Sequence, residues 1–70
     1  MRFSRHAKNC ARQYGLDVSD AKEVIAHPTH MDRDDKGKPR YTGEVRGIRV
    51  RIVVALDEPD LIVTIHERRR

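Results

Sequence analysis

The chain has 70 residues, with 15 lysine and arginine against 11 aspartate and glutamate for a net charge of +4, four histidines and one cysteine. A chain this short forms one domain, residues 1–70, and buries only ~60% of the surface that its unfolded state exposes. A lone cysteine excludes an internal disulfide, the histidines have no zinc-finger spacing around it, and no apolar run approaches a membrane span. The expectation is a cytoplasmic protein with no cofactor and no membrane contact.

Ser4 is placed to cap a first helix over Arg5–Tyr14, and Gly15 to end it in the left-handed conformation. Ala7, Cys10, Ala11 and Tyr14 recur at three- and four-residue spacing, a thin stripe of mostly small residues that can lie close against a sheet. Asp17 caps a second helix that runs to Ala26. Asp20 stands at its third position, and Leu16 and Ala21 form a hydrophobic staple. Val18, Ala21, Val24 and Ile25 make its buried side, and His27-Pro28 stops it, because the residue before proline is pushed out of the helical region.

From Thr29 the pattern changes to strands. Thr29–Arg33 is a short first strand, residues 34–39 are a polar turn, and Arg40–Val45 is a second strand. Arg46-Gly47 leads into a third through either a two-residue primed turn or a glycine bulge. That third strand, Ile48–Val54, alternates strictly and sets Arg49 and Arg51 on the face opposite its aliphatic side chains. After a break at Asp57–Asp60, Leu61–His66 forms a fourth strand.

Register follows from the apolar pattern. Placing Leu61, Val63 and Ile65 beside Ile48, Val50, Ile52 and Val54 sends Thr64 and His66 to the face of Arg49 and Arg51, together with Arg40, Thr42 and Glu44. Val53, Ala55 and Ile62 also fall on that face, an apolar corner that a partner or a second copy of the chain would cover. The expected architecture is α+β: two N-terminal helices packed on one face of a four-stranded antiparallel meander, the other face open and basic. Residues 1–35 are electrically balanced, whereas residues 36–70 carry nine basic and five acidic side chains. This excess, rich in arginine, favours phosphate or an acidic protein as partner.

The opening Phe3-Ser4-Arg5-His6-Ala7, Gly15-Leu16, Pro28, the Gly37–Arg40 turn and the closing Leu61–His66 strand resemble a small family of RelE-like toxin domains, of the superfamily that also holds the ParE and BrnT toxins. The resemblance spans nearly the whole chain. It implies a metal-independent ribonuclease of a toxin–antitoxin pair, with RNA, including ribosome-bound mRNA, as substrate and an acidic antitoxin as partner. It also implies a role for His6. Where the family has arginines four and eight residues after that histidine, this chain has Cys10 and Tyr14, so either the substrate contacts pass to Arg12 or to the sheet arginines, or the activity is lost. The ParE branch supplies the alternative, a non-catalytic inhibitor that binds a protein target; an RNA-binding adaptor is the third.

Metal-free RNA cleavage needs a base for the 2′-hydroxyl proton, an acid for the leaving 5′-oxygen and fixed positive charge at the phosphorus. His6, His66, Arg51 and Thr64 are the catalytic candidates. Arg12, Arg40, Arg49 and Arg68 are the candidates for holding RNA phosphate, with the Arg68-Arg69-Arg70 tail tracking an RNA backbone or meeting an antitoxin. His27 is read as complementing the end of the second helix, His30 has no evident partner in the sequence, and Cys10 is read as a small core residue. Asp32-x-Asp34-x-Lys36-Gly37 starts like a calcium loop but has Gly43 where the bidentate glutamate belongs, and is read as a turn.

Overall fold

The computed structural model describes residues 1–68. Its elements are β1 (Arg2–Phe3), α1 (Arg5–Tyr14), α2 (Val18–Ala26), β2 (His30–Arg33), β3 (Pro39–Val45), β4 (Ile48–Val54) and β5 (Leu61–Glu67), with the strands ordered β1-β5-β4-β3-β2 in one sheet. The class is α+β, as the sequence pattern implies. The expected four-stranded antiparallel meander is corrected to five strands of mixed direction, because β1 runs parallel beside β5. Two residues carry no readable period. They join the sheet because the N–H groups of Arg2 and Ser4 donate to the carbonyls of Asp60 and Ile62, each at 2.8 Å.

Ser4 is where this strand becomes a helix. Its hydroxyl accepts the Ala7 N–H at 3.1 Å and donates to the Val63 carbonyl at 3.0 Å, so one side chain caps α1 and fastens it to β5. Gly15 ends α1 at φ 71°. The capping box of α2 forms as expected, the Asp17 and Asp20 carboxylates each accepting the other's backbone N–H at 3.0 Å.

Both helices cover one face of the sheet. Ala7, Ala11, Leu16, Ala21 and Val24 meet Val50, Ile52, Val54, Ile62 and Ile65 in the core. Gly43 lets α2 approach β3, since a Cβ there would lie 3.2 Å from Val24 Cγ1. The β3–β4 connection is the primed turn: Arg46 and Gly47 take φ 54° and 75°, and Val45 pairs with Ile48. Arg46 Nε donates to Asp20 Oδ2 at 3.0 Å, which ties this turn to the start of α2.

The register of β5 agrees with expectation at one end and reverses at the other. Ile65 pairs with Ile52 in the core, and Thr64 and His66 pair with Val53 and Arg51 on the open face. Between the Val53–Thr64 and Val54–Ile62 pairs the strand carries one extra residue, Val63. Such a bulge exchanges the two faces for everything beyond it. Ile62 is therefore fully buried in the core, and the exposed apolar corner expected around it does not form; Val53 and Ala55 are buried as well.

Candidate functional site

The open face is organised in rows that cross the sheet. One row runs His30, Thr42, Arg51, His66 from β2 to β5, the next runs Asp32, Arg40, Val53, Thr64, and Glu44 pairs with Arg49 in a third. Directly opposed residues share a face, so the pairing alone brings three of the predicted arginines, Thr64 and His66 onto one surface. Arg68 continues the third row, its N–H donating to the Arg49 carbonyl at 2.7 Å. The Arg69 and Arg70 part of the basic tail lies outside the described residues.

At the end of the sheet where the Asp34–Lys38 turn rises, a cavity of about 400 Å³ opens, lined by Asp34, Lys38, Arg40, Arg51, Val53, Val63, Thr64 and His66. Val53 and the bulged Val63 give it an apolar part. Thr42 and Val53 beneath this face are buried although they point away from the helices.

The polar groups around the cavity differ in how far they are engaged. Arg40 Nε and Nη2 donate to Asp32 Oδ1 and Oδ2 at 2.8 and 2.7 Å. This two-pronged bond holds the Asp32 carboxyl below the usual carboxylate range and raises the Arg40 guanidinium above its own. Asp34 Oδ1 accepts the backbone N–H groups of Lys38 and Lys36 at 2.8 and 2.9 Å, and these bonds, Lys38 first, hold its carboxyl low too. Both carboxylates are therefore fixed anions with their basicity reduced, and neither suits proton abstraction.

Arg51 stands apart. Its Nε and the Thr64 hydroxyl are buried with no hydrogen-bond partner, although buried polar groups are almost always paired. Desolvation, and then the like charges of Arg68 and Arg40, lower the Arg51 guanidinium from its ordinary value, which still leaves it charged. Arg51 and Thr64 both line the cavity.

The remaining predicted residues lie elsewhere. His6 and Arg12 are exposed on α1, in the helical layer on the opposite face of the sheet, and neither lines the cavity. His6 Nε2 is 3.6 Å from Cys10 Sγ, one helical turn on. The sequence reading missed Lys38, Asp34 and Val63 as cavity residues and Asp32 as the partner of Arg40. The signal available for Asp32 was its alternation with His30, which puts both on the face of Arg40 once β2 and β3 are paired. His30 Nε2 lies 3.7 Å from Asp32 Oδ2.

Among the described residues no three histidine, cysteine or acidic side chains converge as a metal site, and no helix is long and apolar enough to cross a membrane. Fold and site together define a small α+β domain with a basic, cavity-bearing open sheet. Compared with known protein families, curated proteins and solved structures, the chain matches none.

Proposed function

We propose that this domain is a RelE-like, metal-independent ribonuclease that works on its open sheet face. The observation that supports this most is the cavity that gathers His66, Arg51, Thr64 and Lys38, where the Arg51 Nε and the Thr64 hydroxyl are buried without a hydrogen-bond partner.

In this reading an RNA phosphodiester lies over the cavity with one non-bridging oxygen at Arg51 and Thr64. His66 takes the proton of the 2′-hydroxyl, a task suited to an imidazole near neutral pH. The 2′-oxygen then bonds to phosphorus and the bond from phosphorus to the 5′-oxygen breaks. The Lys38 ammonium gives the leaving oxygen its proton, and the products carry a 2′,3′-cyclic phosphate and a 5′-hydroxyl. Arg51 stabilises the extra negative charge that builds on the phosphorane, usually the largest single contribution of such a site. Arg49 and Arg68 extend the positive track along the chain, and an acidic antitoxin would inhibit by covering the same face.

The test is to incubate purified protein and His66→Ala with RNA in the presence of a chelator, with and without ribosomes, and to identify fragment ends. Fragments with cyclic phosphate ends from wild type alone support the reading. Intact RNA under every condition rejects it and favours the ParE-like inhibitor.

A further inference from the structure

A phosphate entering the cavity meets Lys38, Arg40 and Arg51, and these cations are not equally available. Arg40 has committed Nε and Nη2 to the two oxygens of Asp32, the paired geometry that makes guanidinium–carboxylate contacts strong and directional. The pair is largely shielded, with side-chain exposures of 25% for Arg40 and 34% for Asp32. Asp34 supplies a second fixed negative charge beside Lys38, and its Oδ1 is taken by the turn's own N–H groups. With these opposite charges matched, the surplus among the cavity's lining residues is the charge of Arg51, whose Nε has no partner, with the like charge of Arg68 near it outside the lining.

A phosphodiester brings one negative charge to such a site. A phosphomonoester brings nearly two at neutral pH, its second pKa being ~6. We infer that Asp32 determines specificity here: by occupying the fork of Arg40 it restricts the cavity to singly charged phosphodiesters and turns away doubly charged phosphomonoesters. The inference rests on the phosphate-handling reading above and narrows its substrate class. It also gives the enzyme a route to product release, because further hydrolysis of a cyclic phosphate to a monoester would create the ligand the site disfavours.

The experiment is an NMR titration that needs no turnover. Wild type, Asp32→Asn and Asp32→Asn/Arg40→Gln are titrated with a deoxydinucleoside monophosphate, which lacks the attacking hydroxyl, and with a deoxynucleoside 3′-monophosphate. Affinities are read from the amide shifts of Arg51, Thr64 and His66 at one fixed pH above the phosphomonoester's second pKa of ~6. Wild type should bind the diester more tightly. Asp32→Asn should tighten monoester binding by about tenfold and diester binding by less, as expected when one more guanidinium is freed to face a dianion. The double variant, with no guanidinium to free, should lose that gain. Equal monoester affinity in wild type and Asp32→Asn, a wild-type preference for the monoester, or no shift at the cavity with either ligand overturns the inference. Diester binding without RNA cleavage would instead remove the ribonuclease reading and leave the charge selection standing.

Discussion

His66 stands directly across the β4–β5 ladder from Arg51, on the face turned away from the helices. Cα atoms of opposed residues in antiparallel strands are ~4.5–5.5 Å apart, so the imidazole and the guanidinium are neighbours on this face, and both line the cavity. This pairing follows from the backbone ladder, which makes it robust to changes in the loops.

The first prediction separates function from stability at Arg51. Its buried, unpaired Nε costs free energy in the folded state, and a flexible apolar side chain of similar length would not carry that cost. Arg51→Met should therefore be neutral or stabilising by up to ~1 kcal/mol in denaturant melts. RNA cleavage by the same variant should fall by ~10²–10³-fold, the scale of losing a transition-state charge contact.

Gly43 sets the distance between α2 and β3. A Cβ at this position would stand 3.2 Å from Val24 Cγ1, and Val24 is buried in the core. Gly43→Val should destabilise the domain by ~1–3 kcal/mol through overpacking, measured by chemical denaturation, and Gly43→Ala by less.

Much of this arrangement was legible in the sequence, and the exceptions have physical causes. Strict alternation in Ile48–Val54 and the caps at Ser4 and Asp17 define their elements locally, because the residues that set them lie within a turn or a strand of one another. The parallel strand β1 depends on carbonyls of Asp60 and Ile62, far along the chain, and two residues show no period. The bulge at Val63 was hidden because Leu61–Ile65 is apolar at four of five positions, so either face could be the buried one. Thr64 and His66 were placed on the right face because they lie after the bulge, whereas Ile62 lies before it. Whether His6 shares a pocket with His66 depends on how α1 crosses the sheet, and the thin Ala7-Ala11 stripe does not encode that.

Ser4 carries two bonds through one hydroxyl, to the Ala7 N–H and the Val63 carbonyl. Ser4→Ala should cost ~1–2 kcal/mol, somewhat more than an isolated helix cap. Its signature would be shifts of the Val63 and Thr64 amides in an NMR spectrum, because the cap and the bulged wall of the cavity are fastened at the same point.

Acid should destabilise the fold. Hydrogen bonds hold the carboxyls of Asp17, Asp32 and Asp34 below their ordinary value, led by the Asp20 N–H, the Arg40 guanidinium and the Lys38 N–H respectively. A carboxyl with a depressed folded pKa binds protons more weakly folded than unfolded, so its contribution is fully present above the unfolded value of ~3.9 and is lost as pH falls through the folded one. The melting temperature should be flat from neutrality to about pH 5 and decline below about pH 4. Asp32→Asn should make that decline shallower.

Single-turnover cleavage of one RNA by wild type, His66→Ala and His6→Ala separates a reaction on the open sheet face from one in the helical layer. A reaction on the open face requires that His66→Ala slow cleavage by ~10²–10⁴-fold, the usual contribution of a general base, while His6→Ala stays within a factor of about two. Loss of cleavage in His6→Ala with His66→Ala unaffected would contradict it and move the site to α1.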